Sequence, residues 1–471
     1  MSFGIFFVLL QAKMKKNTSI LRFFIALLTF TGVVCSNASS QSIRTLSTDI
    51  KTARMRWIDA NSNEPLGGDP IRPFLILGNT DNRQGIGAEG DLNGHLIEVS
   101  FDEMSHEVRQ FTYTVRHLNA DGSESRLSST EFLEGFTTKD ITNYEHSLNT
   151  TQLYTHYSLT FPNEEMTITK SGNYRLIIYE DGDQDKRRVE ADFCVVEPQV
   201  KILANVRPNT DIELNGRYQQ LDIDLDFGKT TNIVLNTDIF IVVRQNGRYD
   251  NQVFAPRPTF IESNRLRYTN CRALIFEGGN EYRHFDTYST YFAGVNVDRI
   301  THDNNDYHAI LMTDALRGTG AMFAGERVLD KCGTAYMHEF DVNGQFIVNA
   351  ERTIYDMDTE AEYMWVHWTL AAENPWFDGA VYVGGDIFGN QTSNANRMLY
   401  DSERKCYWLA ALVKQGGVDY QYWFVPSEDK KTTLQRTEGS HWQTENEYTI
   451  YVYYRPFGSR YDQVVGLQVI K

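Results

Sequence analysis

The sequence predicts an all-β protein built from tandem antiparallel β-sandwich domains of immunoglobulin-like type. Three observations carry this reading. Period-two alternation recurs along the chain: in "LDIDLDFG", Leu221, Ile223, Leu225 and Phe227 face one way while Asp222, Asp224 and Asp226 face the other. Ile97, Val99 and Phe101 alternate with polar residues in the same manner, as do Phe111, Tyr113 and Val115, and Tyr157, Leu159 and Phe161. Turn signals such as "ADG", "SGN", "QNG" and "VNG" punctuate these runs at short intervals. The chain also carries 26 Tyr and 27 Phe against only 11 Pro, and aromatic rings suit pleated, half-buried surfaces.

In chain order, "MKKNTSILRFFIALLTFTGVVCSNASSQ" from Met14 has the layout of a secretory signal. Lys15, Lys16 and Arg22 form its basic region, and the apolar stretch from Phe23 to Val34 is too short to span a bilayer. Ala38 and Ser40 supply the small-x-small pattern, which places cleavage between Ser40 and Gln41. Residues before Met14 read as an over-extended start, so 1–40 is the signal segment. Val34 is too large to precede a lipidated Cys35. Two seams divide the remainder. "VVEPQVKI" sets a proline between two strand-like runs, and "IYDMDTEAEYMWVHWTL" opens a new strand system near residue 355. The expected domains are therefore 41–198, 199–355 and 356–471. Short turns are expected around "TKDITNYEHS", and "EYTIYVYYRPF" has two usable faces, as a strand buried on both sides would.

A length of 471 residues suits two to four domains, and the formal charge of −17 argues against a nucleic-acid partner. The first 40 residues contain four basic groups and no acidic one, so their removal takes the remainder to −21. No later run is apolar for long enough to insert in a membrane, which leaves an exported soluble chain. Cys194, Cys271, Cys332 and Cys406 form no zinc spacing. With the expected cuts, only Cys271 and Cys332 share a domain and could bridge.

Apparent chemical motifs resolve into structural features. In "YEDGDQDKRR", Asp181, Asp183 and Asp185 alternate as in a calcium loop, but the required glycine and bidentate glutamate positions hold Lys186 and Asp192. Asp181-Gly182 between two alternating runs reads as a hairpin tip. "GIGAEG" at 85–90 matches a phosphate-loop pattern but runs into a strand instead of opening a helix. "MHEFD" lacks the second histidine of a zinc pair, and His367, beside Trp368, reads as a strand histidine next to a core. Among 62 acidic residues no carboxylate pair stands out for glycosidase chemistry. No catalytic, cofactor-binding or metal-binding residue is assigned, and neither an enzyme nor a small-molecule substrate is expected. Six of the seven tryptophans (Trp365, Trp368, Trp376, Trp408, Trp423 and Trp442) gather in under 80 residues. They read first as core, and alternatively as a sugar-stacking face on a periplasmic or surface carbohydrate-binding protein.

The long runs carry a family resemblance. The stretch from Glu131 to Pro198, with "HFDTYST", "ENPWFDGAVYV" and "TENEYTIYVYYRPFGSRYDQVVG" following in that order, resembles the plug-protein family of the type IX secretion system. The resemblance implies a non-enzymatic soluble protein at the periplasmic face of the outer membrane. Its partner would be a very large outer-membrane β-barrel translocon, sealed sterically while no cargo is engaged. It carries over no catalytic residues. Within "YYRPFG", Arg455 and Phe457 are candidate interface residues, because both are hot-spot types beside a proline turn.

Overall fold

Alternation along a strand demands a partner sheet for its apolar face, and the described residues supply three such pairs of sheets besides one two-stranded sheet. The computed structural model describes residues 43–66, 73–78, 85–228, 235–319, 336–338, 341–428 and 430–471. The expected cleavage site at Ser40 and Gln41 lies outside them, as does Cys332. Described helices are no longer than four residues, and none is long and apolar enough to cross a membrane. The all-β class with several antiparallel sheets is what the sequence predicts.

In the first sheet pair, Arg187–Val196, Gly172–Glu180 and Phe111–Leu118 lie side by side, with Ile43–Thr45 and Thr138–Asp140 at the edges. Phe74–Ile76 joins Arg187–Val196 in parallel. The facing sheet runs Ile50–Asp59, His95–Glu103, Thr155–Phe161 and Asn143–His146. Val99, Phe101, Tyr157 and Phe161 meet Tyr113, Tyr174, Leu176 and Val189 in one core. The segment "TKDITNYEHS" is not a run of turns. It holds the two short edge strands Thr138–Asp140 and Asn143–His146, since each finds a longer neighbour to pair with.

The second pair is assembled from distant parts of the chain. Lys201–Arg207, Tyr218–Asp226, Arg265–Tyr268 and Phe260–Ile261 form one sheet, with Ile275–Glu277 also on Tyr218–Asp226. The alternation in "LDIDLDFG" takes effect here. Leu221, Ile223 and Leu225 are buried, while Asp222, Asp224 and Asp226 pair outward with Arg207 (2.9 Å), Arg267 (3.2 Å) and Arg265 (2.7 Å). The opposing sheet joins Val253–Phe254 and Ile239–Gln245 to Tyr448–Tyr454 and Gln463–Ile470, near the C-terminus.

The third pair occupies the intervening sequence. One sheet holds Arg283–Asp286, Gly416–Pro426, Phe346–Val348 and Gly379–Gly384; the other holds Val297–Asp303, Asp306–Leu311, Tyr363–Ala371, Cys406–Lys414 and Leu399–Asp401. Asp306–Leu311 and Tyr363–Ala371 run parallel. Phe285, Ala309 and Leu311 share their core with Val366, Trp368 and Tyr420. The expected cut between 355 and 356 therefore runs through this pair, and the C-terminal strands complete the second pair. Acidic loop sequence suggested a seam, but the strands on either side of it are partners.

Candidate docking surface

The first sheet pair is joined to its neighbours by two chemically unlike contacts. Against the second pair the junction is apolar. The second face of Tyr448–Tyr454, foreseen from its pattern, packs Tyr451 and Tyr453 with Val242 and Val464 on Cys194 and Val196. Asn173 donates to the Tyr453 hydroxyl at 2.9 Å, and the Ala120 backbone N–H donates to Asp462 at 2.9 Å.

Against the third pair the junction is ionic and buried. Asp102 sits beside Phe101 on His95–Glu103, but alternation turns it away from the core onto the outer face, where it is wholly buried. Its Oδ2 accepts from Lys414 Nζ (2.6 Å) and from the Tyr363 hydroxyl (2.6 Å); Oδ1 lies 2.6 Å from His156 Nδ1. Lys414 Nζ also donates to the Asp358 carbonyl at 2.5 Å and lies 4.3 Å from the centre of the Tyr154 ring. Burial alone would push the Asp102 carboxyl up, but the Lys414 charge and the His156 bond hold it at about 2. Burial likewise pulls Lys414 below the usual lysine value, against the opposing pull of Asp102. Nearby, Glu362 accepts from the backbone N–H groups of Thr151 (2.5 Å) and Gln152 (3.1 Å). A buried pair of this kind is costly to break from one side, so the two sheet pairs are held in one arrangement.

The outer end of this junction opens into a groove of about 490 Å³ between the first sheet pair and the segment 348–358. Arg54 and Arg56 in it face five carboxylates, those of Glu64, Glu98, Glu145, Asp356 and Asp358, a net of −3. Arg54 pairs with Asp358, and Arg56 pairs with Glu98 at 2.6 Å. Tyr144, Tyr355 and Met357 line the same groove.

Beside it, two loops expose large apolar side chains together. After Arg283–Asp286 come Tyr288, Tyr291, Phe292 and Val295; around and after Phe346–Val348 come Ile347, Ile354, Tyr355 and Met357. Tyr291, Phe292, Ile354 and Tyr355 are 62–79% exposed. The loops are tied to each other, since the Glu351 N–H donates to the Tyr288 carbonyl at 2.8 Å and the Arg352 guanidinium lies 5.1 Å from the centre of the Tyr291 ring. Buried Glu360 accepts from the N–H groups of Ile354 (2.5 Å) and Tyr355 (3.2 Å), which fixes the second loop from beneath. Aromatic and arginine side chains held in place are the residue types that dominate protein interfaces. Sequence reasoning does not select these loops, although "HFDTYST" runs into the first and "IYDMD" into the second.

The residues selected from sequence lie elsewhere. Phe457 is fully exposed on the turn between the last two strands, and Arg455 bonds Asp462 at 2.5 Å. Of the tryptophans, Trp368 and Trp423 are buried, Trp376 packs against the third core, Trp365 and Trp442 are half-buried, and Trp408 is 36% exposed. His367 lies 3.0 Å from His308 on the neighbouring strand, and burial lowers its pKa. Asp181 (φ 55°) and Gly182 (φ 70°) form a tight turn in which the Asp183 N–H donates to the Glu180 carbonyl at 3.0 Å, so the aspartate-rich stretch is a hairpin tip. "GIGAEG" is a turn closed by pairing of Gly87 with Gly90. Cys194, Cys271 and Cys406 are buried free thiols, and Cys332, the other half of the expected bridge from Cys271, lies outside the described residues. Among the described residues no group of three or more His, Cys, Asp or Glu side chains could hold a metal.

Comparison with known proteins places the chain. Residues 80–197 match the family described as type 9 secretion system plug protein, 1st domain. The crystal structure of a hypothetical protein from Parabacteroides merdae is similar over 92% of this chain and 99% of that one, at 34% identity and a TM-score of 0.80. No curated protein matches. Residues 80–197, within the first sheet pair, are thus a plug first domain, and through them the chain belongs to the type 9 secretion system plug protein family.

Proposed function

We propose that this protein is a non-enzymatic periplasmic plug that seals the outer-membrane barrel of a type IX translocon while no cargo is engaged. The observation that carries the reading is the match of residues 80–197 to the plug first domain. The secretory layout of the first 40 residues supports export to the periplasm, and the formal charge of −17 suits a soluble chain. A steric seal needs bulk and little internal freedom. Three sheet pairs joined through a buried ionic junction and an apolar one meet that need. The same reading treats residues 43–196 as one domain, with the third sheet pair inserted into the second. Release on cargo arrival calls for an interface of moderate area with a polar rim.

The test is uptake of large antibiotics or dyes across the outer membrane, with and without the gene. Deletion should raise permeability only where the barrel is present. Unchanged permeability, or equal leakage after the barrel is also removed, overturns the proposal. Because occupancy and not chemistry does the sealing, no single Asp, Glu or His substitution on the surface should reproduce the deletion.

A further inference from the structure

We propose that the tied pair of loops carrying Tyr291, Phe292, Ile354 and Tyr355, with the acidic groove beside it, is the face that docks on the translocon. The partner surface it fits is apolar and aromatic with a rim of Lys or Arg. This rests on the plug reading and adds to it the docking face and the chemistry of the partner.

The apolar side chains are exposed on loops that are tied down. These side chains stand in solvent, yet the loops beneath them are pinned by Glu360 and by the contacts from Glu351 and Arg352. Preorganised aromatic side chains lose little freedom on binding and so give strong anchors. The outer sheet face of Tyr218–Asp226, by contrast, is laced with Asp–Arg pairs and offers no such anchor.

Charge decides the occupant. The groove that borders the loops holds two arginines against five carboxylates, and Glu64, Glu145 and Asp356 are its exposed acids. On a chain of formal charge −17, a second copy or an acidic surface would be repelled there, whereas a basic rim would be drawn in. The Arg455 and Phe457 turn has an exposed ring, but its arginine is tied to Asp462 at 2.5 Å.

The experiment measures binding of the full mature protein to the purified translocon barrel, with thermal melting to verify each variant's fold. Replacing Tyr291→Ser, Phe292→Ser and Tyr355→Ser together should weaken binding by more than about tenfold with an unchanged melt. Glu64→Lys with Glu145→Lys should also weaken it, and wild-type binding should fall as salt rises. Arg455→Ser with Phe457→Ser should bind as wild type does. If wild type does not bind the barrel, the plug reading itself fails. If wild type binds and the serine triple variant binds equally well, this docking face is wrong. Tighter binding of the lysine variant overturns the basic partner, and loss of a homodimer in the triple variant would assign the face to self-association.

Discussion

The first and second sheet pairs are built from similar strands but closed in different ways. Every strand of the first lies between residues 43 and 196, and its central neighbours Gly172–Glu180 and Arg187–Val196 are joined by a tight hairpin. The second begins at Lys201, yet its inner sheet is completed by Tyr448–Tyr454 pairing with Ile239–Gln245 across about two hundred residues. Local closure costs little loop entropy and can precede the rest of the chain, whereas the second core must wait for the C-terminus. The difference teaches that one sheet pair is closed by strands near one another in the chain, and the other by strands drawn from distant parts of it. It also explains why the apolar second face of Tyr448–Tyr454 serves the junction: the last strands to dock lock the first two pairs together.

Three perturbations probe this contrast, in order of expected effect. Removing residues 448–471 should abolish the folded second pair altogether, while residues 41–198 alone should still give a cooperative melt. Circular dichroism and hydrogen exchange distinguish these outcomes, and a second pair that stays protected without its C-terminal strands would contradict the contrast. Next, Lys414→Met leaves Asp102 buried without its cation and should cost about 3–5 kcal/mol in denaturant unfolding. Adding Asp102→Leu should recover much of that, because a matched apolar pair carries no desolvation penalty. The smallest effect lies inside the first pair. His117, buried against Phe132, Tyr174 and Tyr461, has its pKa pulled down to about 4 by burial, despite a bond to the Ser171 carbonyl. The folded state keeps it neutral while the unfolded chain takes up a proton near 6.5. Stability should thus be full above about pH 7 and fall by about 3 kcal/mol as pH drops towards 4. Equilibrium unfolding of His117→Gln across that range should remove most of this slope.

Much of the strand inventory was legible because alternation is a local property. "LDIDLDFG" told which residues would be buried, and the Asp181-Gly182 turn told where one hairpin would reverse. The docking loops were not legible. No local pattern marks Tyr291 or Tyr355, and nothing nearby in sequence says that Glu351 and Arg352 tie the two loops to each other. Asp102 read as one more outward acid of an alternating strand, since its cation lies 312 residues away.

The sequence by itself determined the all-β class, the solvent and core faces of individual strands, the hairpin tip and the family, because each rests on neighbours within a few residues or on long runs taken whole. Only the tertiary structure decided which strands pair, that the chain's end completes its second sheet pair, that Asp102 is buried against Lys414, and that two loops bearing exposed aromatic rings are tied to each other. Those outcomes depend on contacts between residues far apart along the chain, where backbone hydrogen bonds are indifferent to sequence and side-chain fit and charge choose the partner.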